Sequence, residues 1–193
     1  HATWLQSRFD LLSREGDIQF TSNGHLRLVG FDARNIASKP NSLVTSSSAD
    51  VLIRAQALIE DNANVSSAIS TSGVVSIQPL GVTFNAASTL RFAVEASDLF
   101  VGSSSAVANY TNTLNIHRPV TVSNTARVYA DAVTVNAGAT ITSTSTNGLI
   151  EIGSDGTTTL GSTLRAGGNV NLIGAGVAFS SATITGSAAV VIE

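Results

Sequence analysis

Three histidines, His1, His25 and His117, and the acids Glu95, Asp98, Asp131, Glu151, Asp155 and Glu193 are the residues of this 193-residue chain best suited to chemistry. Hydrolysis or cleavage of a polysaccharide needs two carboxylates, or a carboxylate with Lys or Arg, converging on one site. These acids fall at different offsets from a recurring strand motif: Asp131 lies two residues before one copy, whereas Glu151 lies inside another. They read as solvated surface groups or turn residues, so the sequence predicts no catalytic residue and no enzyme. An N-terminal histidine with a second histidine binds copper through its amine and two imidazoles, but nothing around His25 or His117 completes such a site. Ser154-Asp155-Gly156 is a single acidic turn, not the repeated Gly- and Asp-rich nonapeptide that holds calcium between coils. No metal and no cofactor is expected.

Other chemical signals are equally thin. Thr140-x-Thr142 and Thr183-x-Thr185 have the spelling of an ice-binding ladder, but the equivalent flanks of Ile59, Phe84, Val107, Leu160 and Phe179 break it. Good β propensity explains those threonines. Asn64-Val65-Ser66 and Asn109-Tyr110-Thr111 are glycosylation sequons that matter only in a eukaryotic secretory setting. The absence of cysteine excludes a disulfide framework, a thiolate metal site and a cysteine nucleophile. A net charge of −3 with no basic cluster argues against nucleic acid. No apolar run approaches membrane-spanning length, and no signal-peptide pattern is present. A chain that starts at His1 rather than Met reads as processed or as a fragment.

The sequence is far more explicit about the elements that carry these residues. An apolar–any–apolar triplet recurs as Val51-x-Ile53, Val75-x-Ile77, Leu99-x-Val101, Leu114-x-Ile116, Val133-x-Val135, Ile150-x-Ile152, Val170-x-Leu172 and Val190-x-Ile192. The steps are 24, 24, 15, 19, 17, 20 and 20 residues. A second apolar position follows each triplet 6 to 8 residues on, and a third about 12 residues on in most copies. A strand motif returning once per coil is the signature of a β-solenoid. Within a strand, alternation turns the outer two residues of the triplet inward and the middle one outward. Gly, Asn, Ser and Asp clusters such as Gly167-Gly168-Asn169 turn the chain between strands. The expectation is an all-β, right-handed parallel β-helix of about eight or nine coils of roughly 15–24 residues.

Residues 1–15 read differently. Thr3-Trp4-Leu5-Gln6 has capping-box spacing, Leu5, Phe9 and Leu12 share a helical face, and Gly16 is a helix stop. This predicts a short helix serving as a cap or docking segment ahead of a solenoid over 16–193. Residues 31–50 break the register and read as a loop or insertion. At the far end Val190, Val191 and Ile192 have no polar segment after them, and an uncovered strand edge invites pairing.

The segment Arg165-Ala166-Gly167-Gly168-Asn169-Val170-Asn171-Leu172, with Ala182-Thr183-Ile184-Thr185 and Val190-Val191-Ile192, resembles the repeats of filamentous-haemagglutinin-like and autotransporter-type exoproteins. Ala137-Gly138-Ala139-Thr140-Ile141 and Gly148-Leu149-Ile150-Glu151-Ile152 fit the same style. The likeness covers residues 112–193 well and 49–111 loosely, and the Asn-Pro-Asn motifs of that family's secretion domain are missing. It implies a secreted or surface-displayed structural or adhesive protein.

Together these readings predict an extracellular stalk or self-assembling filament subunit. Its partners would be further copies stacked head to tail, or the remainder of a longer solenoid. The self-association residues would be Trp4, Leu5, Phe9 and Leu12 at one end and Val190, Val191 and Ile192 at the other. The alternative is an adhesin that binds a glycan or receptor through residues 31–50, Phe100 and Tyr110. A polysaccharide-active enzyme ranks last, and neither nucleic acid nor membrane insertion is expected.

Overall fold

The computed structural model describes residues 3–5, 11–13, 18–21, 25–28, 43–45, 50–58, 67–81, 83–102 and 112–193. Among them the chain is all strand and turn, with no helix. Every strand pairing is parallel: each strand lies against the one a circuit earlier and the one a circuit later. This is a parallel β-solenoid.

One face is an 8-stranded sheet in the order Leu11–Ser13 (β2), Leu43–Thr45 (β5), Ser67–Ser70 (β8), Phe92–Ala96 (β11), Val120–Val122 (β14), Ile141–Ser143 (β17), Leu164–Ala166 (β19) and Ile184–Gly186 (β21). A second face stacks Ile18–Thr21 (β3), Val51–Ala55 (β6), Val74–Pro79 (β9), Asp98–Val101 (β12) and Thr125–Ala130 (β15). It continues through the first halves of Leu149–Leu160 (β18) and Asn169–Phe179 (β20) to Ala189–Ile192 (β22). The third face runs from Ser88–Leu90 (β10) through Leu114–Ile116 (β13) and Val133–Val135 (β16) to the second halves of β18 and β20. Below β10 on that side lies a 3-stranded sheet of Thr3–Leu5 (β1), His25–Leu28 (β4) and Ala57–Leu58 (β7), joined to it where Leu58 N–H donates to Ser88 Oγ at 3.2 Å. From Ser88 onward the chain makes about five turns, one for each strand from β11 to β21.

The register revises the repeat. On the second face the Cα partners run Ile18, Val51, Val75, Leu99, Ala126, Ile150, Val170, Val190 without a break. The triplet that belongs between Leu99-x-Val101 and Ile150-x-Ile152 is therefore Ala126-x-Val128. Leu114-x-Ile116 and Val133-x-Val135 sit on the third face, between Ser88-x-Leu90 and Thr158-x-Leu160. The 15-residue step is a walk from one face to the next, not a coil. From Val51 to Val190 the circuits on the second face measure 24, 24, 27, 24, 20 and 20 residues.

Three aliphatic columns fill the interior. Val75, Leu99, Ile150 and Val170 line one wall, Val94, Val120, Ile141 and Leu164 the second, and Leu90, Leu114, Val133 and Leu160 the third, all buried. Each circuit covers the apolar surface of the last at roughly 25 cal/mol per Å², so stability accrues turn by turn. The corner from the first face to the second explains the Gly-Gly spelling. A Cβ on Gly167 would stand 2.1 Å from the Ser145 carbonyl oxygen, and one on Gly168 2.5 Å from that of Gly148. The backbones stack too closely there for any side chain.

Two expectations are corrected at the N-terminus. Where a helix was expected over 1–15, Thr3–Leu5 pairs with β4 and Leu11–Ser13 pairs with β5, both as strands. Strand ladders in the solenoid satisfy the backbone there and override the local capping pattern. Within 31–50, Leu43–Thr45 is a strand of the first sheet; apart from it and Asp50, that stretch lies outside the described residues.

Candidate functional site

The last turn is built like the turns before it but lacks their cover. Val190 and Ile192 pair in register with Val170 and Leu172, and Phe179 pairs with Leu160. Those three partners are 0% exposed, whereas Val190 is 44%, Ile192 54% and Phe179 54% exposed. Val191, paired with Asn171, is 36% exposed, and Ile184 is half-buried above the fully buried Leu164. Inward column positions thus open onto solvent. On its lower side β22 is closed by backbone bonds, Glu193 N–H to Leu172 O at 2.9 Å and Gly174 N–H to Glu193 O at 2.8 Å. Among the described residues, its upper edge has no strand partner. A flat edge beside exposed aliphatic residues is a template for strand addition.

The structure places the expected self-association residues at opposite extremes of the sheets. Trp4 and Leu5 belong to β1, which ends the 3-stranded sheet; Leu12 belongs to β2, which ends the 8-stranded sheet opposite β21. Val190, Val191 and Ile192 form β22 at the other end. Phe9 lies outside the described residues.

A second arrangement, which sequence reasoning missed, runs along the outside of the second face. Register stacks Phe100, Arg127, Glu151 and Asn171 as the outward residues of four successive turns. The Arg127 guanidinium carbon lies 5.8 Å from the centroid of the Phe100 ring, within cation–π range. Arg127 Nε donates to Glu151 Oε1 at 2.8 Å. Tyr129 Oη donates to the same oxygen, and Asn171 Nδ2 donates to Oε2 at 3.3 Å. Burial alone would raise the Glu151 pKa; the bonds from Tyr129 and Asn171 and the Arg127 charge outweigh it and hold the group below its usual range. The signal was Ala126-x-Val128, a triplet whose small first residue hid it and whose middle residue is Arg127.

The remaining acids have separate duties. Asp50 Oδ1 accepts from Val74 N–H at 2.7 Å and Asp98 Oδ1 from Thr125 N–H at 2.9 Å, each bracing the corner of the next turn. Glu95 accepts from Ser70 Oγ at 3.2 Å. Asp131 is pushed above its ordinary pKa by partial burial and by the charge of Asp155. His117 is held below the usual histidine range by burial and then by Arg91 and Arg118. His25 lies in β4, and His1 lies outside the described residues. Among the described residues no three His, Cys, Asp or Glu side chains gather to hold a metal ion, and no helix is long and apolar enough to cross a membrane. No protein-family model matches the chain, and comparison with curated proteins and with solved structures finds no match.

Proposed function

We propose that this chain is a non-enzymatic structural element, a β-solenoid stalk or filament subunit of extracellular or cell-surface setting. Its rod lengthens by stacking further coils on the end turns. The winding is right-handed, as parallel crossover connections overwhelmingly are. The observation that carries the reading is the exposure of Phe179, Val190 and Ile192 at positions whose register partners are fully buried. The resemblance of residues 112–193 to haemagglutinin-like exoprotein repeats supports an extracellular, structural setting. The adhesin alternative draws less support: the Phe100 ring is engaged by Arg127, and Tyr110 lies outside the described residues.

Electron microscopy and sedimentation velocity test the proposal. Purified chain should form rods longer than one molecule, with assembly rising with concentration. Val191→Lys, which sets a charge on the end turn, should suppress them while the circular dichroism spectrum stays β-rich. Rods that form equally well with Val191→Lys, or a wild-type chain that stays monomeric at high concentration, overturn it.

A further inference from the structure

We infer that the exposed last turn is completed by the first turn of a second copy of this chain, in a register fixed by the columns already present; the inference rests on the stacking reading above. Two columns run through the structure without a slip. On the second face the Cα pairs lead from Ile18 in β3 to Val190 in β22. On the first face they lead from Leu11 in β2 through Leu43, Ile69, Val94, Val120, Ile141 and Leu164 to Ile184 in β21. Carried one step further, Val190 meets Ile18 of the second copy, Val191 meets Gln19, Ile192 meets Phe20 and Ile184 meets Leu11.

The occupant is a second copy because the required shape exists at this chain's own other end. β1, β2 and β3 each terminate a sheet, and they follow one another in the same order around the axis as the second half of β20, then β21, then β22. A slip of one residue would bring the outward row over Val190 and Ile192 and leave aliphatic residues outside. Register is therefore specified by burial, as it is at every turn within the chain. The upper edge of β22 carries no Lys, Pro or bulge of the kind that blocks pairing.

The chain has no cysteine, which makes a cross-linking test clean. Gln19 holds the register position of Leu52 and Val191 that of Asn171, both middle positions of their triplets. Neighbouring parallel strands bring such positions within about 4.4–6.8 Å between Cα atoms, the span of a disulfide. A chain carrying both Gln19→Cys and Val191→Cys, assembled and mildly oxidised, should give a ladder of covalent multimers on a non-reducing gel. Each single variant should give dimers at most. Gln19→Cys with Ser76→Cys, a position inside the rod, should give no ladder. Microscopy of the same samples separates the two readings. Rods without a ladder from the double variant overturn the pairing inferred here and leave the stacking function standing. Absence of both rods and ladder overturns the two together. A ladder of equal strength from the Ser76→Cys combination also overturns the register.

Discussion

Arg127 and Glu151 stand 24 residues apart in sequence and one strand apart in space, with Arg127 Nε 2.8 Å from Glu151 Oε1. The side chains are 33% and 13% exposed, so water screens the arginine more than the acid. Tyr129 and Asn171 complete the carboxylate's shell. The outer row therefore ties three successive turns together through one acid.

Glu151→Gln should lower stability at neutral pH by about 1 kcal/mol, the scale of charge-assisted bonds discounted for partial exposure. The sign with pH follows from the lowered pKa. A carboxylate stabilised in the native state contributes fully above its unfolded value near 4.5 and loses that contribution as pH falls through the lower folded value. Urea unfolding of wild type and variant at pH 7 and in strong acid should show the gap closing as the pH falls.

Asp131 runs the other way. Its raised pKa means that the ionised form is disfavoured by partial burial and by Asp155. Asp131→Asn should raise the unfolding midpoint at pH 7 modestly. The gain should vanish below the unfolded aspartate range, where wild type is itself protonated.

Burial, not residue type, should rank the column positions. Ile150 is 0% exposed and Val190 is 44% exposed on the same column. Ile150→Ala should cost about 2–5 kcal/mol through lost burial and a cavity. Val190→Ala should change the stability of the dilute chain by about 0.5 kcal/mol or less, yet weaken assembly. Denaturant midpoints and sedimentation together check both halves.

The corner glycines make a sharper contrast. A Cβ at Gly167 would meet the Ser145 carbonyl oxygen at 2.1 Å, while one at Gly176 would meet nothing within 4 Å. Gly167→Ala should force the stacked corner apart, at a cost on the order of 1–3 kcal/mol, and Gly176→Ala should be tolerated. Thermal unfolding of the two variants decides it.

Much of this architecture was legible because burial imposes a spelling. Val51, Val75, Leu99, Ile150, Val170 and Val190 were grouped in one wall from spacing alone, and they share one column. Leu114 and Val133 were misfiled because all three walls of a solenoid write the same apolar–any–apolar word, so spelling cannot name the wall. Ala126 went unnoticed because the interior at that point is filled by a methyl group rather than a branched chain. The misfiling hid Arg127, and with it the outer row around Glu151. The N-terminal error has a related origin. From β1 to β2 the chain advances 8 residues between faces, close to two helical turns. Leu5 and Leu12 therefore satisfy both periodicities at once.

All pairings in the rod are parallel, and that gives it a direction. One tip offers Val190 and Ile192 on β22; the opposite tip is formed by β1, β2 and β3. Two rods cannot join by like tips without opposing their strands, so growth is end-to-unlike-end and a seed should elongate at unequal speeds from its two extremities. A surface grafted with one tip would raise a brush of rods all pointing the same way.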